Sequence, residues 1–288
     1  METQGAKRRR ITVEEIDASR GNLQTLQEAM DLGVDRAGGK AALRKACANG
    51  LVEVLDRLLA AGLDVEDLRA DDNYAVRYAC ENGHVAVLDR LLAAGLSVED
   101  LRTDDNYAAR YACRNGHVEV LGRLLAAGLS VEDLRDGDNK AVRLACTYGH
   151  VAVLDRLLAE GLGVEDLRAR EGEAIRHACE GGHVAVLDRL STAGVELQDI
   201  NRAGASQAVV WTCVNGHDKV IEWLLLRLGR NFPKEWVLTV LLAGERWAAK
   251  WRGVLVAMRV RGVLPTGNRA AVIQRRVRTF LTAYRRCP

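Results

Sequence analysis

Proline, phenylalanine and long apolar runs are nearly absent from this chain. Its 288 residues include 3 Pro and 2 Phe, and aromatics make up 5%. So few prolines leave little to interrupt helices. So few aromatics argue against strand-rich sandwiches and barrels. The longest apolar run late in the chain, residues 237–243, is far too short to cross a bilayer. The opening METQGAKRRRITVEE is polar and has no apolar core of a secretory signal. An intracellular location, cytoplasmic or nuclear, with no membrane partner, is expected. No Gly-rich phosphate loop and no paired-carboxylate motif occurs, so neither a cofactor nor an enzymatic role is expected.

What is abundant favours helix: Ala, Leu, Arg and Glu dominate. Apolar content of 48% supplies a core for one elongated or two compact domains. The net charge of +2 conceals an asymmetry. Residues 230–288 carry 13 Lys/Arg against Glu235 and Glu245. Residues 1–10 carry +3, so residues 11–229 carry −12. An acidic body with a basic end bears on partners rather than on fold.

The cysteines are periodic. Cys47, Cys80, Cys113, Cys146, Cys179 and Cys213 are separated by 33, 33, 33, 33 and 34 residues. A Gly follows each three residues later, from Gly50 to Gly216. His84, His117, His150, His183 and His217 stand directly after five of those glycines. Each period reads as two helices. In the first, Ala75, Val76, Ala79 and Cys80 form a narrow stripe of small residues. Asp72 or Asn73 is placed to cap its start, and Asn82-Gly83 to end it. In the second, Val87, Leu88, Leu91 and Leu92 form a wider stripe closed by Gly95. A loop of about 12 residues anchored by Val98 and Leu101 completes the unit. Such a helix pair cannot bury both faces alone, so neighbouring units must stack.

The pattern A-C-x-N-G-H-V-x-V-L-x-R-L-L-x-x-G at this period resembles the ankyrin repeat. The resemblance covers roughly residues 11–229. It implies an all-α fold, with minor β at most in the inter-repeat loops: an ankyrin-type helical solenoid. The expected organisation starts with a basic tail at 1–10 and a degenerate capping repeat at 11–37. Six repeats follow, at about 38–70, 71–103, 104–136, 137–169, 170–202 and 203–229. A basic, Trp/Arg-rich helical segment at 230–288 caps the end. Two features depart from the family. YAVR (74–77) and YAAR (107–110) replace its T-P-L-H, and RADD (69–72) and RTDD (102–105) replace its hairpin tip. VEDLR therefore reads either as part of a β-hairpin or as a helical turn. The Asn-Tyr-Ala-φ-Arg variants are similar to ankyrin arrays of large DNA viruses.

The recurring Cys and His do not suggest chemistry. Stacked helices stand about 8–10 Å apart, too far to share one zinc ion or to close a disulfide. Near-equivalent copies also argue against one nucleophilic site. Cys is expected as a small buried residue, and His as a turn tether bonded to backbone; no metal is expected. Arg44, Arg77, Arg110, Arg143 and Arg176 form one periodic line; Arg69, Arg102, Arg135 and Arg168 form another. Both are expected to pair between units with Asp67, Asp71, Asp100, Asp104 and their equivalents, setting register more than stability.

Binding information must then lie where the copies differ. The variable columns supply Tyr74, Tyr107, Lys140; Tyr78, Tyr111, Leu144, His177, Trp211; and Glu81, Arg114. By resemblance, this first-helix surface lines the concave binding face, and Tyr is enriched among interface anchors. The expectation is a monomeric scaffold for a protein partner. One alternative is an adaptor joining an array-bound target to an effector such as a ubiquitin ligase through the C-terminal helices. Another is nonspecific binding of nucleic acid or an acidic partner through the basic patch Arg275, Arg276, Arg278, Arg285 and Arg286. KRRR at 7–10 has the form of a nuclear signal.

Overall fold

A computed structural model of the chain describes residues 36–196 and 205–228, with Trp236, Val240, Val254 and Met258. No strand occurs among the described residues. All but the last two residues of the expected capping repeat lie outside them. So do the basic tail and the patch Arg275, Arg276, Arg278, Arg285 and Arg286. Of the C-terminal segment, the four residues described are helical and buried.

Two compact units are present. One is Met1–Ala141 with Asp155–Gly161; the other is Val142–Leu154 with Leu162–Pro288. The first contains α1 (Arg36–Asn49), α2 (Val52–Ala60), α3 (Val65–Leu68), α4 (Ala70–Glu81), α5 (Val85–Ala93), α6 (Val98–Leu101), α7 (Thr103–Asn115) and α8 (Val118–Ala126). Next come α9 (Val131–Tyr148) and α10 (Val151–Ala159), each with residues in both units. The second unit adds α11 (Val164–Leu167), α12 (Ala169–Glu180), α13 (Val184–Thr192), α14 (Ala205–Val214) and α15 (Asp218–Leu228).

Within the first unit, α4 packs between α1 and α7, while α5 packs between α2 and α8. Within the second, α12 packs on α13 and α14, and α15 on α13 and α14. Ala75, Val76, Ala79 and Cys80 are buried, as the small-residue stripe requires. Their size lets the first helices come close. Val87, Leu88 and Leu91 are fully buried on the second. Gly83 ends α4 at φ 80°, which lets His84 N–H reach back to Ala79 O at 2.8 Å.

Of the two readings of VEDLR, the helical turn is the one present, within what was otherwise expected as a loop. VEDL forms one helical turn, α3, α6 or α11. At its start a carboxylate accepts the backbone N–H three residues earlier: Asp67 from Asp64 (3.1 Å), Asp100 from Ser97 (2.8 Å) and Asp166 from Gly163 (2.8 Å). Three consecutive left-handed residues then follow: Asp71, Asp72 and Asn73 at φ 55°, 55° and 58°, and Asp104, Asp105 and Asn106 at 53°, 51° and 57°. Each such residue costs about 1–2 kcal/mol, least for Asp and Asn. Hydrogen bonds from Asn73 N to Arg69 O (3.0 Å) and from Asn106 N to Arg102 O (3.1 Å) close these turns. Asp72 and Asn73 therefore do not cap the first helix; they form the reversed turn that leads into it.

The expected ion pairing between copies is present in the first unit. Arg69 Nε and Nη2 donate to Asp100 at 2.8 and 3.2 Å, and Arg102 donates likewise to Asp133 at 2.9 and 3.0 Å. Arg44 meets Asp71 at 2.7 Å, and Arg77 meets Asp104 at 3.2 Å.

Candidate interaction surface

The first helices of the first unit present the residues that vary between copies. Tyr74 and Tyr78 are four apart on α4, hence on one face. Their rings stack with centroids 3.9 Å apart at 17°. Tyr107 and Tyr111 repeat this on α7, at 3.9 Å and 11°. The guanidinium of Arg77 lies 5.2 Å from the Tyr107 ring centre, and that of Arg114 lies 5.2 Å from the Tyr111 ring centre. Tyr107 Oη donates to Glu81 at 2.7 Å, linking α7 to α4. Burial, and then that carboxylate, push the Tyr107 phenol upward. Burial likewise raises the Tyr74 phenol. All four tyrosines are partly exposed. Lys140 stands partly exposed on α9. Tyr74, Tyr78, Glu81, Tyr107, Tyr111 and Arg114 are thus brought together as one aromatic and charged strip.

Glu81 also serves the scaffold. Its backbone carbonyl accepts from His117 Nε2 at 2.9 Å and from Asn115 Nδ2 at 2.7 Å. His84 and His183 make the same bond to Ala48 O (3.0 Å) and Thr147 O (2.9 Å). A carbonyl only accepts, so Nε2 carries the proton in each. The expected tether is therefore present, and it reaches back to the preceding copy.

In the second unit, His177 Nδ1 lies 3.3 Å from Glu180. Its Nε2 lies 3.9 Å from Glu173, which also meets Arg143, Arg170 and Arg176. Burial alone would raise the Glu173 carboxyl. The Arg143 hydrogen bond and surrounding cations outweigh it and hold the carboxyl below its ordinary value. Leu144 is partly buried, while Trp211 is 46% exposed beside Val210 and Val214. Arg77 is the contact that sequence reasoning missed. It recurs with the period, so it reads as scaffold, yet it also covers a variable ring.

The cysteines are poor nucleophiles where they stand. Cys47, Cys113, Cys146, Cys179 and Cys213 are buried, which pushes each thiol up to about 12. Burial raises Cys80 as well. A thiolate is the reactive form, so none of these is poised for attack. Among the described residues no His, Cys, Asp and Glu group could hold a metal ion. No helix among them is long and apolar enough to cross a membrane.

These helix pairs, repeating every 33 residues and tied by His-to-carbonyl and Arg-to-Asp bonds, define a helical repeat protein. Part of the chain is similar to a known repeat family. Residues 76–166 match a model described as ankyrin repeats in three copies, and residues 43–92 match one described as ankyrin repeats in many copies. The stretch 43–166 is therefore similar to ankyrin repeats, which are generally protein–protein interaction modules. No curated protein matches the chain. Neither match supports the likeness to viral arrays.

Proposed function

We propose that this chain is a noncatalytic scaffold that binds a protein partner on the first-helix surface of its repeats. The observation that carries this reading is the strip on α4 and α7. Two stacked tyrosine pairs, the second with Arg77 beside Tyr107 and Arg114 beside Tyr111, stand partly exposed at positions where the copies differ. Rigid aromatic rings with few rotatable bonds lose little entropy on binding, and Tyr and Arg are favoured at interface hot spots. Lys140, and in the second unit Leu144, His177 and Trp211, extend the proposed surface within their own units.

The test is affinity capture with the full chain beside a Tyr74→Ala/Tyr78→Ala/Tyr107→Ala/Tyr111→Ala variant. Circular dichroism checks that the variant keeps its helices. The expected outcome is a folded variant that loses at least one protein retained by the native chain. Identical retention by both would remove the first-helix surface from consideration.

A further inference from the structure

The charges along the first helices of the first unit narrow the chemistry of the partner. Helix α1 carries Lys40, Arg44 and Lys45 and no acid. The right-handed part of α4 carries Arg77 and Glu81, and that of α7 carries Arg110 and Arg114. Lys140 follows on α9. The single carboxylate in this set, Glu81, is occupied by the Tyr107 hydroxyl at 2.7 Å. Among the described residues, the other acids of the unit lie outside these first-helix segments, such as Glu66 on a short helix, Asp72 and Asp105 in left-handed turns and Glu119 on a second helix. The −12 carried by residues 11–229 is therefore not spread over this face.

Some of the cations already have partners. Lys40 faces Asp67 at 3.5 Å, and Arg44 and Arg77 face Asp71 and Asp104. Lys45 and Lys140 make no ion pair among the described residues. We infer that the partner segment docking on this strip is an acidic peptide that sets carboxylates against Lys45 and Lys140 and apolar side chains against the tyrosines. This rests on the proposed docking surface and adds the charge of what docks there. Complementary charge mainly governs specificity and association rate.

A single-stranded nucleic acid fits less well. Tyr107 has Tyr111 on one side and Arg77 close by, so little ring face is open to a stacking base. A phosphodiester also carries charge at every residue and would run past the exposed Asp72 and Asp105. A peptide places its charges selectively.

The experiment selects binders from a random peptide library displayed on phage. The baits are the full chain, the four-Tyr variant, and a Lys45→Glu/Lys140→Glu variant, each checked by circular dichroism. A labelled oligothymidylate is measured in parallel. The expected result is enrichment of acidic over basic peptides by about tenfold on the native chain, lost or inverted by charge reversal. Neutral or basic winners would overturn the inference. So would an acidic preference that survives the reversal, which the basic end of the chain would then carry. Oligothymidylate binding abolished by the reversal would also overturn it, in favour of nucleic acid. If the four-Tyr variant loses the selected peptides but charge reversal does not, the docking surface stands and only its acidic specificity falls. If the four-Tyr variant retains them, the docking surface itself is wrong.

Discussion

At Gly83 two constraints meet. Its φ is +80°, and a Cβ there would stand 2.7 Å from His117 Nδ1. Gly50, Gly149 and Gly182 meet the rings of His84, His183 and His217 in the same way. The periodic Gly-His pair is thus one device shared between copies: the Gly of one leaves room for the His of the next, and that ring closes on the carbonyl beside it. Gly62 supplies a control, with φ +100° and nothing within 4 Å of the added atom. Gly62→Ala should cost about 1 kcal/mol from backbone strain alone. Gly83→Ala should cost about 1–3 kcal/mol more, the penalty of overpacking against a fixed ring. Urea denaturation of both variants checks this. Equal losses would show that the ring moves aside freely and that only the backbone demands glycine.

At the scale of the element, the connection between copies carries more order than its composition suggests. Asp100 is 7% exposed. It accepts from Ser97 N and Oγ at 2.8 and 2.9 Å and from Arg69, so one carboxylate caps α6 and ties two copies together. Burial alone would raise its pKa, but the Arg69 and Ser97 hydrogen bonds outweigh burial and hold it below the ordinary 3.8. Asp133 behaves alike with Arg102 and Ser130. A carboxyl lowered by folding binds protons first in the unfolded chain. Its contribution is therefore present above pH about 4 and lost as pH falls through the folded value. Asp100→Ala should cost about 2 kcal/mol at neutral pH, with the deficit shrinking in acid. Glu66→Ala, on an exposed side chain, should stay within about 0.5 kcal/mol. Denaturation curves at neutral and acidic pH decide it, and a pH-independent deficit would contradict the assignment. The helix pairs were legible beforehand because stacking repeats the same demand in every copy. The left-handed turn was not. Asp72 and Asn73 suit both an N-cap and positive φ, and only the hydrogen bond from Asn73 N to Arg69 O distinguishes the two. Likewise Glu81 stood out as variable, but its bond to Tyr107 joins residues 26 apart that no local pattern connects.

At the scale of the molecule, the first unit is built from nearest-neighbour bonds that recur in register. Arg69 holds Asp100 as Arg102 holds Asp133, and His84 faces Gly50 as His117 faces Gly83. An array of this kind should tolerate removal of a whole period, because each new junction restores an existing one. Deleting residues 71–103 brings Arg69 into register with Asp133 and His117 into register with Gly50. It also puts Ala70 where Thr103 stood before Asp104. The shortened chain should fold with undiminished helical content per residue. Its stability and denaturant dependence should both fall, since less surface is buried. One contact cannot be restored: Tyr107 would face the column position held by Ala48, which offers no carboxylate in place of Glu81. The deletion also removes Tyr74 and Tyr78, half of the aromatic strip. It should therefore remain a folded protein while weakening capture of any partner that uses that strip. Circular dichroism, denaturation and the capture experiment together read both effects. A chain that fails to fold would show that the copies are not interchangeable and that their differences serve stability rather than recognition.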